Sequence, residues 1–486
     1  MITTSLPKKI LLFFLISPLV FSANAKPMDL KQAIACALEN NIELKTALWD
    51  KAVRLDELHI LKQKFSPQVS WNMSVSLQRE IYYNEDFDEK KIHSYPSLRM
   101  LTPIGTQIEL FTEQNIGYER YQKKSGTALH VVVEQPLLQG RRKVVNTWSI
   151  ENASILNEIQ ELLHRQAIEH VIYGVIVNYH ALVLANENIK LHHRWLAQSE
   201  RFYENLKSKV EAGRAPLSDL VSSKLQVNQA QSYLDRAQFE YHQTMRKLIE
   251  FIGSEEEDIT VTQGFPIKKE SFDFKGNEFV QVIADNDIET KIINLNIART
   301  RTQLIVAKDQ QLVDLKLRGD LTLGRYHVYG ENSMYQELND NGIYNSPFVH
   351  QNGNYSAHLL LSIPITGKDQ RYHQVLATKI ELKKLEYASW YHQKHLTAHA
   401  QNLLEQMALQ NRQEQLAANA VTLAQKNYDD ALLKLEAGRT SMFELVTLQE
   451  RLHDAQMQYN TTLITYLDVM ANLEYNAGLL AKKWIA

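Results

Sequence analysis

Cysteine is almost missing from these 486 residues: Cys36 stands alone, so no intramolecular disulfide can form. It is the eleventh residue after the leader inferred below, too far along for a lipoprotein cysteine, and reads as a small packed helix residue. Seventeen glycines and eleven prolines leave no Pro-, Gly- or Ser-rich linker, so the length does not divide into a string of ordinary domains. Positive charge is not in excess. The formal balance of −3 becomes −5 once Lys8 and Lys9 leave with the leader, which offers no field for nucleic acid. No Walker A segment, HExxH or nucleophile–base motif occurs, so neither nucleotide hydrolysis nor any other enzyme chemistry is expected, and no cofactor. His392, His395 and His399 share a helical face and His192 adjoins His193. Without an acid or cysteine in either set they read as polar surface, and no metal is expected. After the first 25 residues no run of 18 apolar residues appears, so no membrane-spanning helix is expected and a membrane role would need a β-barrel.

What is present begins with a leader. Lys8 and Lys9 precede an apolar run from Ile10 to Phe21, and Ala23-Asn24-Ala25 is the small-x-small pattern a signal peptidase cuts, so residues 1–25 read as a signal peptide. The mature chain then repeats itself. Glu211 to Arg214 and Glu436 to Arg439 both read Glu-Ala-Gly-Arg, and an ungapped offset of 225 residues matches Tyr203 with Tyr428, Leu220 with Leu445, Ala230 with Ala455 and Gly253 with Gly478.

Two kinds of segment make up each repeat. Val69, Trp71, Met73, Val75 and Leu77 alternate with Ser70, Asn72, Ser74 and Ser76, a period of two that predicts a strand. Leu315, Leu317, Leu321 and Leu323 opposite Lys316, Arg318, Asp320 and Thr322 repeat the pattern 246 residues on. Leu129, Val131 and Val133 likewise correspond to Ala357, Leu359 and Leu361, with His130 and His358 on the other face. Strands are therefore expected at 67–83, 126–137, 313–326 and 354–365. Their length and their apolar and polar faces suit a transmembrane barrel, although a soluble sandwich face would look similar. Residues 79–126 and 325–354 read as outer loops, with a further strand candidate at 98–111 that is either a loop hairpin or an extension of a barrel strand.

The rest reads as helix. From about 141 to 211, and again from 370 to 436, the chain runs roughly 70 residues without proline, each run about 100 Å long at 1.5 Å per residue. Ile168, Val171, Ile172, Val175, Ile176 and Tyr179 form a packing stripe. Gly213 and Gly438 are expected to end the long helices in left-handed caps, and Pro216, Ser218 and Asp219 to start a return helix. The plan is two helical hairpins whose turns face away from the strands: a first repeat over 26–253 turning at 213, a connector over 254–285, and a second repeat over 286–486 turning at 438.

With these features together, the chain resembles the TolC family of outer-membrane efflux proteins over essentially its whole mature length. The residues that carry the resemblance are the opening helix from Leu30 to Ile34 with Ala37 to Asn41, the strand exits Gln135 to Gly140 and Ile363 to Gly367, and the two Ala-Gly-Arg tips. The resemblance implies a mixed architecture of helices plus β-barrel: a homotrimer in which each protomer gives four strands to a twelve-stranded barrel, continued by a long helical barrel into the periplasm. It implies an outer-membrane location and function as the passive exit duct of a tripartite efflux or type I secretion system. The partners would be a periplasmic adaptor (membrane fusion) protein, an inner-membrane pump of RND or ABC type, and outer-membrane lipid. It makes Gly213, Arg214, Ala215, Gly438, Arg439 and Thr440 adaptor-docking tips, and Glu444 and Asp219 the acidic residues of the periplasmic aperture. In well-studied members two acidic rings constrict that entrance; Glu444 matches the first, while Thr447, uncharged, stands at the second. The alternative from another class is a non-channel periplasmic or surface coiled-coil protein, structural or adhesive, with a sandwich in place of the barrel.

Overall fold

The computed structural model describes residues 26–82, 85–119, 122–254, 259–261, 276–329, 353–436 and 439–485. The leader and the acidic run from Glu255 to Asp258 lie outside the described residues, as does most of the expected loop before Asn354.

The first repeat opens with β1 (Lys26–Met28) and α1 (Leu30–Asn40). A reciprocal capping box starts α1: the Gln32 N–H donates to Asp29 Oδ1 (2.7 Å) and the Asp29 N–H to Gln32 Oε1 (3.1 Å). Next comes α2 (Ile42–Lys62), capped by Asn41, whose Oδ1 accepts from the Glu43 and Leu44 N–H groups. Four strands follow, β2 (Gln68–Tyr82), β3 (Glu85–Leu101), β4 (Gln107–Glu119) and β5 (Gln122–Pro136). The hairpin α3 (Lys143–Glu211) and α4 (Leu217–Ile252) closes the repeat.

The second repeat follows the same order with fewer described strands, and its first two elements fall in the stretch expected as a connector: β6 (Ile259–Val261), α5 (Gly276–Asn286), α6 (Ile288–Asp309), β7 (Asp314–Tyr329), β8 (Gly353–Ser362), α7 (Lys368–Glu436) and α8 (Met442–Asn476). A short α9 (Leu480–Ile485) ends the chain. Both repeats clasp their ends alike. Asn41 Nδ2 donates to the Phe251 carbonyl (2.6 Å), two residues before Gly253, and Asn286 Nδ2 to the Ala477 carbonyl (2.8 Å), one before Gly478. Each glycine has positive φ, 66° and 64°. A side chain at Gly253 would also come within 2.8 Å of the Asn40 carbonyl, so this left-handed turn tolerates only glycine.

The sheet departs from expectation. Among the described residues six strands, where four were expected, form one antiparallel sheet in the order β2-β3-β4-β5-β7-β8. The segment 79–126 is therefore not an outer loop, and the strand candidate at 98–111, expected as either a loop hairpin or an extension of a barrel strand, is the end of β3, a tight turn and the start of β4. In that turn the Gly105 N–H donates to the Thr102 carbonyl (2.9 Å), with Gly105 at φ 86°. The sequence hides the turn because Leu98 faces Leu110 and Met100 faces Ile108. Partners of equal parity share a face, so the period-two phase runs straight through the hairpin as if it were one strand.

The core lies where the helices meet. Val171, Ile172, Val175 and Ile176 of the α3 stripe are buried with Ala33, Ile34, Leu248 and Ile252 from α1 and α4. Length and composition alone would let part of α3 cross a membrane. The buried face of that stretch is occupied by protein, as in a core helix. Stacked Tyr173 and Tyr475 (5.0 Å between centroids) and the His180 Nδ1 to Asp468 Oδ1 contact (2.7 Å) join the two repeats.

Candidate channel wall and aperture

The sheet has two chemically different faces. Register places Val69, Val75, Ile92, Leu98, Leu110, Val131 and Leu321 on one of them, each aligned with its neighbours across the ladders. Val69, Trp71, Met73, Val75 and Leu77 are all more than 60% exposed, an apolar surface that water does not favour. The opposite face is polar and internally paired. Arg99 meets Glu109 (2.8 Å), His130 Nε2 meets Glu113 (3.2 Å), Lys316 meets Glu134 (3.0 Å), and Arg318 meets Asp320 (2.9 Å). His130 also stacks on Phe111 at 4.5 Å.

At the far end of the molecule the hairpin turns lie together. Tyr428, Ala431 and Leu445 of the second hairpin bury against Phe202 of α3, and Gln198 Nε2 hydrogen-bonds the Tyr428 hydroxyl. The first turn is a Schellman motif, with the Gly213 N–H donating to the Val210 carbonyl (2.9 Å) and the Arg214 N–H to the Lys209 carbonyl (2.8 Å). Its repeat equivalent is the Arg439 N–H to Lys434 carbonyl bond, also 2.8 Å. Gly213 has φ 68° with nothing within 4 Å of an added Cβ, so it is needed for backbone conformation and not for space. Gly438 lies outside the described residues.

Asp219 and Glu444 occupy equivalent places, each in the first turn of a return helix, with Asp219 half-buried and Glu444 exposed. Asp219 Oδ1 accepts from the Ser218 hydroxyl (3.3 Å). Glu444 donates its N–H to Ser441 Oγ (3.2 Å), and its carboxylate takes a short hydrogen bond from the Thr440 hydroxyl. This is half of a capping box, spelled in the sequence by Ser441-x-x-Glu444. Ser441 thus caps the helix, and Glu444 stays open to solvent. Arg214, Ala215, Arg439 and Thr440 belong to the same two turns.

The histidines correct a second reading. His192 is buried, its ring 4.8 Å from that of His453, and Trp195 and Tyr233 stack around the pair beside a cavity of about 480 Å³. His392 Nε2 meets Asp287 Oδ2 (2.8 Å) and His399 Nε2 meets Asn476 Oδ1 (3.2 Å), so both tie elements together and are not free surface. Burial, and then the neighbouring His192, pull His453 down to about 4 from its usual 6.5. His192 is lowered too, chiefly by burial and against Glu240. The folded state therefore holds fewer protons than the unfolded chain between those values. Stability is full above pH 6.5 and falls as pH drops toward 4. His453→Gln should flatten that decline in a thermal melt series; an unchanged pH profile would place the acid sensitivity elsewhere.

No protein-family model matches the chain, and no curated protein is similar to it. Solved structures are. The chain is similar to the Campylobacter jejuni CmeC outer membrane channel, with 12% identity over 92% of this chain and 85% of that one and a TM-score of 0.68. It is also similar to the open state of the Neisseria gonorrhoeae MtrE outer membrane channel, at 14% identity, 92% and 88% coverage and a TM-score of 0.68. The outer membrane protein VceC of Vibrio cholerae matches at 12% identity, 92% and 96% coverage and a TM-score of 0.66. The chain has the fold of the TolC-family outer-membrane channels.

Proposed function

We propose that this chain, sharing its fold with those channels, is an outer-membrane exit duct: a homotrimeric passive pore, not an enzyme, whose helices extend through the periplasm. The observation that carries the reading is one continuous sheet, exposed and apolar on one face and charged on the other, set at the opposite end of two roughly 100 Å hairpins from their turns. In a bilayer the apolar face meets lipid and the ion-paired face meets water. No other arrangement uses both faces and the length at once. A surface adhesin would leave the apolar face in solvent.

The tips then receive a periplasmic adaptor joined to an inner-membrane pump of RND or ABC type, which supplies the energy that this chain has no motif to provide. Photo-crosslinking in the native cell from Ala215 and Thr440, followed by mass spectrometry, tests this. Capture of an adaptor supports the duct, and the pump encoded with that adaptor tells small toxic compounds from polypeptides as cargo. Capture of nothing but itself, from well-expressed protein, would favour the coiled-coil alternative.

Two substitutions probe the tips. Gly213→Val forces a β-branched residue into left-handed backbone at a cost of about 1–2 kcal/mol, confined to the turn. The trimer should persist while export through the adaptor drops; normal export would remove this turn from docking. Glu444→Ala deletes the acidic ring expected from the second hairpin and should lower cation selectivity in planar bilayers. Unchanged currents would leave Glu444 as an acid of the first helical turn alone.

A further inference from the structure

Six sheet strands among the described residues change the pore. We infer that the barrel is eighteen-stranded, built from three copies of this six-stranded sheet, with β2 of one copy pairing to β8 of the next. The inference rests on the trimeric outer-membrane reading above.

The sheet of one chain is open. β2 and β8 are its edges and do not pair with each other. Unpaired backbone edges are not tolerated in hydrocarbon, so they must be satisfied by other copies. The geometry allows it: strands alternate in direction along the whole order, so β2 and β8 run oppositely, and copies laid side by side continue the antiparallel alternation without a break. Neither β2 nor the described part of β8 contains a proline that would blunt its edge.

The inserted hairpin belongs to the wall and is not an outer loop. β3 and β4 run to the same inner rim as their neighbours, where Gly105 sits so close to the strand exit that an added Cβ would lie 2.4 Å from the Gly140 carbonyl and 2.8 Å from the Pro136 ring. Their inner halves carry the same two faces as the rest. Ile92, Leu98 and Met100 of β3 and Ile108 and Leu110 of β4 continue the apolar belt between Val69–Val75 and Val131–Val133. Arg99, Glu109 and Glu113 continue the charged lining up to His130. A hairpin lying above the membrane would have no reason to hold this belt in register.

Barrel diameter grows roughly linearly with strand number, so eighteen strands give about one and a half times the width of twelve and about twice the cross-section, a size at which barrels leave an aqueous channel. The outer exit of this duct is then wider than a four-strand plan provides, which suits bulky cargo.

Imaging the full-length protein, extracted from outer membranes into nanodiscs, by electron cryo-microscopy counts the strands directly. A second measurement uses paired cysteines at Ser70 and Ser97, whose hydroxyls lie 2.7 Å apart on the polar face of β2 and β3. Eighteen strands and an intrachain S70C–S97C disulfide in assembled protein support the inference. A trimer of twelve strands, with β2 beside β5 and no such disulfide, overturns it and leaves the exit duct standing. Protein that is neither trimeric nor embedded in the outer membrane overturns both.

Discussion

Val75→Arg should largely eliminate the assembled form from the outer membrane, while Ser74→Arg, one residue away, should assemble almost normally. Val75 lies opposite Ile92 on the apolar face, and Ser74 lies opposite His93 on the polar one. Both substitutions place the same side chain and the same charge on the same strand, so net charge cancels in the comparison. What differs is the solvent each guanidinium meets. On the lipid face near the membrane midplane the charge costs roughly 2–4 kcal/mol, and a trimer carries three of them. Leu321→Arg, between Val131 and Tyr355 on the same face, should fail in the same way. The readout is heat-modifiable trimer in the outer-membrane fraction at matched expression. Equal assembly of all three variants would mean that the apolar face does not meet lipid.

The same alternation shows how much of this protein its sequence displays. Strands β2 and β7 were legible because each keeps apolar and polar residues strictly apart over nine or so positions. β3 was not, because its apolar face is interrupted by Ser94 and Pro96 and its outer half is a run of charge from Glu85 to Lys91. The long helices were legible from the absence of proline and from the stripe at Ile168 to Tyr179. The clasp that ends each repeat was not, because Asn41 and Asn286 are 245 residues apart while the glycines they sit beside differ by 225. An ungapped repeat cannot hold both offsets. The extra twenty residues between the two registers reflect the unequal strand content of the halves, four long strands in the first and two in the second.

At the tips the residue types were readable and their couplings were not. Gly213 announces a turn by its identity, but the alignment of both turns at one end depends on Tyr428, Leu445 and Phe202 meeting across hairpins. No local pattern encodes that contact. His192 is hard to read for the same reason: on one helix it looks like a polar residue on a wet face, and only the arrival of α8 with His453 makes that face an interior.

Gly174→Val should be the most damaging single change in the helical core. Gly174 is the one glycine inside α3, and helix propensity alone would favour its replacement, since glycine costs about 1 kcal/mol relative to alanine in a helix. The structure reverses that expectation. A Cβ at Gly174 would lie 2.3 Å from Cζ and 2.8 Å from Cε1 of Phe251, so the ring must leave its place. Phe251 is not free to leave cheaply: it packs on the buried cluster around Val171 and Leu248, and its carbonyl accepts the Asn41 bond that clasps α4 to the start of α2. Moving the ring strains the clasp as well as the core. Overpacking of this kind typically costs about 1–3 kcal/mol, and valine adds two further methyl groups and a stiff χ1. The substitution should lower the melting temperature of the assembled protein, and Gly174→Ala should do so less. The decisive comparison is a double-mutant cycle with Phe251→Leu. If the ring is the obstacle, Gly174→Ala should be destabilising beside Phe251 and neutral or stabilising beside leucine, where only its helix propensity remains. Additive effects in the cycle would show that Gly174 serves the backbone of α3 and not the seat of Phe251.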